Sequence, residues 1–344
     1  MKPSDEFLSP AEAARKLGVS AKALRVYEER GLIAPARTAA GWRAYGPEEM
    51  RRAAEIASLR SLGFSLAQIA RVLDQDPQGL EQALAAQQAV LEGRARQIAA
   101  TAERLRRLRD DLARGKAPSA GELVGLLAPA KGPAVAFDLP WPWGGERFEL
   151  REIRPLTYIT GPLFSGKTRL ARRLAETLPD AAFLGPERLE DGAAAARARL
   201  DADPALRSRV EGALAWLVED GAAESDALLA LLADLEAEGP GAIVVDMVEQ
   251  GLDAASQRAV IAHLRRRGAE ARPLFLLTRS CEILDLEAVG AQEAILFCPA
   301  NHSPPRLVAP YPGAPGTEAL ASCLASPEVR ARTEGVIAYR PPAA

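Results

Sequence analysis

Residues 161–168 read Gly-Pro-Leu-Phe-Ser-Gly-Lys-Thr, a complete match to the pattern G-x-x-x-x-G-K-[ST]. An apolar segment, residues 156–160, precedes this loop and predicts a buried strand, whereas residues 167–174 predict a helix. A glycine loop between a strand and a helix N-terminus forms an anion site, because backbone N–H groups and the helix dipole face the anion. The stretch therefore predicts an α/β domain with a mainly parallel sheet, unless the match arose by chance in a long chain.

A second apolar run supports the same kind of domain. Residues 242–245 predict a buried strand, and an aspartate follows it directly. In P-loop proteins the lysine reaches the β- and γ-phosphates, while the threonine hydroxyl and this aspartate hold Mg²⁺. We therefore expect ATP or a related nucleotide with Mg²⁺, the metal lying at Thr168 and Asp246. The predicted nucleotide-binding residues are Gly161, Ser165, Gly166, Lys167, Thr168 and Asp246.

The segment Gly251-Leu252-Asp253 follows Asp246 at the spacing of the D-loop in ABC and SMC-type ATPases. Residues 135–285 resemble that class, specifically at the two motifs and only vaguely between them. An ordinary core strand that happens to end in aspartate would explain one motif but not both. The resemblance implies a nucleotide-binding unit.

The same resemblance exposes two departures at positions that serve hydrolysis. These ATPases carry a glutamate directly after the strand aspartate and a histidine after the next strand; here the residues are Met247 and Arg279. A thioether neither orients water nor accepts a proton. Glu249 is a weak candidate for the catalytic base, because a shift of two residues would usually abolish alignment. We expect nucleotide binding with at most weak ATPase activity.

The N-terminal 75 residues carry a different set of signals. Ser9 to Glu12 form a capping box with proline at the first helical position, and Ser20 would cap a second helix that ends near Arg30. Two short helices joined by a Gly-Val-Ser turn are typical of a helix-turn-helix. The Pro- and Gly-containing stretch 35–45 predicts a hairpin wing, followed by a third helix and by a fourth that Ser65 would cap.

In such a unit the second helix would enter the major groove and the wing would contact the flanking backbone. The alternative is a small helical domain whose arginines are only solvated. The predicted DNA-binding residues are Lys22, Arg25, Tyr27, Arg37, Arg43 and Tyr45.

Residues 8–75 resemble the MerR family. The matching blocks are Gly-Val-Ser-x-x-x-Leu-Arg-x-Tyr-Glu, then Gly-Leu-Ile-x-Pro-x-Arg, Gly-Trp-Arg-x-Tyr and Leu-Gly-Phe-Ser-Leu-x-x-Ile. Val26 and Trp42 depart from the family's usual aromatic and tyrosine. The resemblance implies binding of a dimer to an inverted repeat in promoter DNA, activation by DNA distortion, and RNA polymerase as a partner at the promoter. Because no cysteine occurs before Cys281, we do not expect the metal sensing that relatives perform near this region.

Residues 76–116 show an apolar residue at every seventh position, which predicts a two-stranded coiled coil. The alternative is a helix that packs one face on its own domain. Resemblance to MerR proteins implies that the two strands run antiparallel. The seam positions are Leu84, Leu91, Ile98, Leu105 and Leu112.

Charge divides along the chain. Residues 1–116 contain 20 Lys and Arg against 15 Asp and Glu, whereas the remainder contains 23 against 31. A basic N-terminal part would attract phosphates and an acidic C-terminal part would repel them. No apolar run reaches the length of about 18 residues that a membrane span needs, and the three cysteines show no disulfide pattern, so we expect a cytoplasmic protein without a membrane partner.

The sequence thus predicts a multidomain protein in which a winged helix-turn-helix and a long dimerisation helix precede an α/β P-loop domain. The predicted boundaries are 1–75, 76–116, a linker at 117–133, and 134–344. We expect a homodimeric DNA-binding transcriptional regulator that nucleotide modulates. The rival hypothesis is a slow DNA-tethered ATPase in repair, defence or chromosome maintenance. A third possibility is that the P-loop domain recognises another anion or a protein.

Overall fold

The structure, a computed structural model, describes residues 7–74, isolated positions between 81 and 114, and residues 135–268, 271–311 and 313–325. Residues 7–74 form a helical unit with a small hairpin, as the sequence predicts. Its elements are α1 (Pro10–Leu17), α2 (Ala21–Glu29), β1 (Ala36–Arg37), β2 (Arg43–Ala44), α3 (Pro47–Ser61) and α4 (Leu66–Leu73).

The predicted helix caps explain where these helices begin. Ser9 and Ser65 each form a complete capping box, in which the serine accepts from the third helical N–H and the Glu or Gln there accepts from the serine N–H. Ser20 caps α2 by accepting from the Ala23 N–H. The helices bury an apolar core that includes Leu24, Ile56 and Ile69.

Most of the predicted coiled-coil region lies outside the described residues. Leu91 and Ile98 are among the positions that are not described. The positions that are described between Glu81 and Leu112 are helical. Leu84 and Leu112 on this stretch are 53% and 56% exposed.

The C-terminal unit is built on a six-stranded sheet of order β10-β9-β5-β8-β7-β6, in which only β10 is antiparallel to its neighbour. A separate antiparallel hairpin, β3 and β4, precedes it. The strands are β3 (Val135–Asp138), β4 (Arg147–Leu150), β5 (Leu156–Thr160), β6 (Ala181–Leu184), β7 (Ala242–Val245), β8 (Leu274–Leu277), β9 (Glu293–Phe297) and β10 (Arg306–Leu307).

Helices cover both faces of the sheet. The helix after the P-loop and the β3–β4 hairpin pack on one face, and the other helices pack largely on the opposite face. The fold class predicted from the sequence is confirmed. The helices are α5 (Lys167–Thr177), α6 (Ala194–Ala202), α7 (Pro204–Glu219), α8 (Asp226–Leu235), α9 (Ala254–Arg265) and α10 (Thr317–Cys323), with a 3₁₀ helix at Pro186–Leu189.

The sheet order determines what meets at its carboxyl edge. Strands β5, β8 and β7 are adjacent and parallel, so the segments that follow them lie side by side. The P-loop, Arg279 and Asp246 therefore share one edge, the usual ligand site of such sheets. Within the described ranges, no helix combines the length and apolar composition that a membrane crossing requires.

Candidate functional site

Two glycines of the P-loop sit where no side chain fits. A Cβ on Gly161 would lie 2.2 Å from the Cys298 carbonyl oxygen, and a Cβ on Gly166 would lie 2.6 Å from the Trp143 ring. Both glycines also have positive φ, of 153° and 87°, which L side chains rarely adopt. The backbone that follows β9 and the Trp143 side chain of the segment after β3 therefore shape the loop.

Lys167 begins α5 and turns its ammonium back into the loop. The ammonium donates to the Gly161 and Pro162 carbonyls at 3.0 and 2.6 Å and to the Ser165 hydroxyl at 3.4 Å. Burial lowers the pKa of Lys167 from its ordinary value. A partly buried cation among neutral acceptors, at a helix N-terminus, is an arrangement that an anion would stabilise.

The two predicted metal ligands face each other. The Thr168 hydroxyl donates to the Asp246 carboxylate at 2.8 Å, joining α5 to the end of β7. A hydroxyl and a carboxylate oxygen are the hard ligands that Mg²⁺ takes in nucleotide sites, where it keeps water and phosphate oxygens as its other ligands. The donor set at this point therefore fits Mg²⁺.

Arg188 of the 3₁₀ helix holds the loop after β7, and sequence reasoning missed it. Its guanidinium donates to the backbone oxygens of Asp246 and Met247 at 2.8 and 2.7 Å. Burial lowers the pKa of Arg188. No local pattern identifies this residue, because it contacts a segment 58 residues further along the chain.

Neither Met247 nor Glu249 is placed as a catalytic base would be. Met247 has a φ of 51°, so the chain turns sharply after Asp246. Glu249 is buried, and its carboxylate accepts the backbone N–H of Arg279 at 3.2 Å. The carboxylate is thus engaged with the end of β8.

The two tryptophans before the loop have different surroundings. Trp143 is buried and its indole N–H donates to the Ser303 carbonyl at 3.1 Å. Trp141 is 69% exposed, and the Arg169 guanidinium of α5 lies 4.4 Å from its ring centroid. Trp143 therefore packs in the interior, whereas Trp141 presents an aromatic face beside the P-loop.

The predicted DNA-binding cations lie on α2 and the hairpin. Arg25 is exposed. Arg37 and Arg43, on opposite strands of the hairpin, both bind the carboxylate of Glu28, Arg37 at 2.7 Å. Lys22 is held by the C-terminal unit: its ammonium lies 2.7 Å from Glu282 and donates to the Cys281 carbonyl at 2.9 Å.

The two tyrosines require a correction. Tyr45 is completely buried in the core of residues 7–74, where its backbone pairs with Leu8. Burial raises its pKa, and its ring cannot contact DNA as predicted. Tyr27 is 5% exposed and lines a cavity between the two units with Asp220. Its hydroxyl is therefore not available to a phosphate in this arrangement.

Comparison with known proteins identifies the N-terminal unit. Residues 8–76 match the model of the MerR HTH family of regulatory proteins. A heavy metal-dependent transcriptional regulator of Haemophilus influenzae is 47% identical over 64 residues, which are 18% of this chain and 50% of the regulator. The chain spans half or less of the length of the first such relatives it matches.

Solved structures align with each unit at low scores. A MerR family regulator that lacks the sensor domain, bound to promoter DNA, aligns with 36% of this chain and 98% of its own, at 21% identity and a TM-score of 0.25. An ATP-binding cassette of an ABC transporter in its ADP conformation aligns with 59% and 99%, at 12% identity and a TM-score of 0.37.

Such low TM-scores carry no functional argument, so the C-terminal assignment rests on the sheet order and the P-loop. The N-terminal assignment has the family match, the relatives and the described helices behind it. The N-terminal part of the chain thus carries a helix-turn-helix domain of the MerR type, and an α/β unit with a G-x-x-x-x-G-K-[ST] loop follows it.

Proposed function

We propose that this protein is a dimeric, cytoplasmic transcriptional regulator that binds promoter DNA and responds to nucleotide binding in its C-terminal unit. The observation that carries the proposal is the 2.8 Å hydrogen bond between Thr168 and Asp246, beside the partly buried ammonium of Lys167. These three side chains come from two separate motifs. Together they match the phosphate and metal contacts of a P-loop nucleotide site.

ATP with Mg²⁺ is the proposed ligand. Thr168 and Asp246 would hold the metal, and the bound Mg²⁺ would neutralise phosphate charge. Lys167 and the N–H groups at the start of α5 would bind the phosphates. The exposed face of Trp141 would stack on the base, a contact that accepts any base and therefore does not choose ATP over GTP.

Binding rather than turnover is the proposed signal. Met247 supplies no general base, and Glu249 is engaged with the Arg279 backbone. A ligand at about 100 times its dissociation constant stabilises the bound state by about 2.7 kcal/mol, which is enough to shift an equilibrium between conformations. The shift requires only that the ligand prefers one conformation.

Dimerisation is proposed through the heptad stretch. Leu84 and Leu112 are helical and exposed in the single chain. Packing of such leucines against a second copy would bury them and would place two recognition helices on one inverted repeat. RNA polymerase at the same promoter is the proposed downstream partner.

The test combines two readouts on the purified protein. An operator is selected from random duplexes by the protein itself, and its affinity is measured while ATP, ADP or GTP is titrated with and without Mg²⁺. We expect Lys167→Ala to lose nucleotide binding and the nucleotide effect on DNA, and to keep the DNA affinity measured without nucleotide. Arg151→Ala, an exposed residue outside the loop, is the matched control.

The rival hypothesis makes a different prediction in the same experiment. A DNA-tethered ATPase would turn ATP over rapidly, and a non-hydrolysable analogue would leave promoter binding and transcription unchanged. That result would remove the regulatory proposal.

A further inference from the structure

We propose that the C-terminal unit holds the DNA-binding unit in a closed arrangement that excludes DNA, and that nucleotide at the P-loop opens it. The second half of this inference rests on the proposed function and deepens it. The closed contact is made by four carboxylates of the C-terminal unit, Glu219, Asp220, Glu282 and Glu287, named here the acidic docking surface.

Two of these carboxylates occupy the start of the recognition helix α2. Glu282 pairs with the Lys22 ammonium at 2.7 Å, and Glu287 accepts the Ala21 backbone N–H at 3.0 Å. Ala21 is the first residue of α2, so Glu287 binds the helix N-terminus. Anions bind helix N-termini because free N–H groups and the dipole point at them.

The other two carboxylates hold the far side of the same unit. Asp220 is bound by the Arg60 guanidinium at 2.6 and 3.2 Å and by the Leu66 backbone N–H at 3.0 Å. Glu219 is bound by Arg71 at 2.6 Å and by the Ser65 hydroxyl at 3.0 Å. The contact therefore spans α2, the end of α3 and the start of α4.

Close packing accompanies the charges. Gly221 lies so near Arg30, the residue that ends α2, that a Cβ there would fall 1.4 Å from its guanidinium nitrogen. A cavity of about 150 Å³ remains between the units beside Tyr27. The interface is therefore tight at the charged positions and incompletely filled between them, as suits a contact that opens.

The acidic docking surface takes the place of DNA phosphates. A recognition helix reads the major groove with its N-terminal residues, and helix N-termini and lysines are the groups that bind phosphate. Here the same atoms, the Lys22 ammonium and the Ala21 N–H, already bind carboxylates. Because DNA and the C-terminal unit would bind the same surface at the start of α2, the closed arrangement and DNA binding exclude each other.

One short segment connects this contact to the P-loop. Residues 279–282 follow β8 at the edge of the sheet that carries Asp246. At one end, the Arg279 N–H donates to Glu249; at the other, the Cys281 carbonyl and the Glu282 carboxylate hold Lys22. The four residues 279–282 thus connect the edge of the sheet that carries the P-loop to the recognition helix.

The positive charges of Lys167 and Arg279 determine which way residues 279–282 would move when nucleotide binds. Arg279 follows β8, which lies beside β5, so it shares with the P-loop and Lys167 one edge of the sheet. The buried Nε of Arg279 has no hydrogen-bond partner among the described residues. A terminal phosphate between the two cations would relieve their repulsion and bind Arg279. Movement of Arg279 toward it would draw Cys281 and Glu282 away from Lys22.

The first experiment tests the closed contact without nucleotide. When only a minor fraction of the protein is in the open state that binds DNA, the apparent affinity for DNA is reduced by that fraction. Weakening the closed contact should therefore raise the apparent affinity for DNA. We expect Glu219→Lys, which repels Arg71, to raise DNA affinity by about tenfold over the wild type. Glu219→Gln should raise it less, and it covers the case in which the lysine variant does not fold.

The control is Glu211→Lys, which makes the same charge change at an exposed position of the same helix, α7. Added positive charge alone strengthens DNA binding, so only the difference between the two variants measures release. The closed contact is overturned if Glu219→Lys binds DNA no more tightly than Glu211→Lys and Glu219→Gln binds DNA no more tightly than the wild type.

The second experiment tests release by nucleotide. Hydrogen exchange of a peptide covering residues 16–30 is followed in the full chain with Mg²⁺ and a non-hydrolysable ATP analogue. We expect faster exchange at Ala21, whose N–H loses Glu287. Binding of the analogue without faster exchange overturns release alone. Failure of the analogue to bind at all overturns the proposed function, while the Glu219 result still decides the closed contact.

Discussion

The Thr168 hydroxyl donates a 2.8 Å hydrogen bond to the Asp246 carboxylate, joining the two motifs across 78 residues of chain. The pair links the first turn of α5 to the end of β7. The helix α5 follows β5, and β7 lies two strands from β5 in the same sheet, so the sheet order brings the two elements together. The bond brings a neutral donor to a carboxylate that a divalent cation would hold more strongly. Nucleotide binding should therefore depend on the metal through these two oxygens.

The first prediction concerns this pair. We expect Asp246→Asn to reduce affinity for ATP at least tenfold in Mg²⁺ and to leave affinity in EDTA unchanged, because only the metal contact is weakened. Fluorescent nucleotide titrations in the two buffers measure both values. An equal loss in both buffers would show that Asp246 supports the loop rather than the metal.

The second prediction concerns turnover. A missing positioning group typically costs about 100- to 1,000-fold, so from an ordinary rate of about 10 s⁻¹ we expect no more than about 0.1 s⁻¹. Phosphate release under saturating ATP measures it. We expect Met247→Glu to recover little, because Arg279 still occupies the other catalytic position. Wild-type turnover near the ordinary rate would contradict the binding-only interpretation.

The third prediction concerns DNA recognition. Arg25 is exposed on α2, whereas Arg43 on the hairpin already pairs with Glu28. We expect Arg25→Ala to cost about 1–3 kcal/mol on the selected operator and to relax its specificity, as loss of a base contact does. Arg43→Ala should weaken operator and scrambled duplex alike. Unchanged affinity in both variants would remove these residues from the DNA interface.

The fourth prediction concerns assembly. Ile98 and Leu105 lie in the middle of the predicted seam, and a carboxylate buried there without a partner costs several kcal/mol. We expect the double variant Ile98→Asp, Leu105→Asp to sediment as a monomer and to bind the operator weakly. An intact dimer would place the principal interface elsewhere in the chain.

Local chemistry made much of the fold predictable. The capping boxes at Ser9 and Ser65 and the glycine loop at 161–166 depend on neighbours within a few residues, so their sequence signals are direct. Asp246 was predictable because a buried strand that ends in aspartate is itself a short pattern.

Side-chain direction and distant pairing were not predictable in this way. The order of residues in the wing does not reveal that Tyr45 turns into the core while Trp42 turns out. Arg188 and Asp220 act on segments far away along the chain, through contacts that only the assembled units create. The missed residues are those whose partners lie in other elements.

The order in which the contacting segments are synthesised has a consequence for the cell. The helices of the DNA-binding unit are complete once residue 74 has been made, whereas Glu282 follows more than 200 residues later. At about 5–20 residues per second, the ribosome needs roughly 10–40 s to cover that distance. During this interval the nascent chain already has its DNA-binding unit, but Glu282 of the acidic docking surface has not yet been made. Its access to DNA is then limited by the ribosome to which it is still attached.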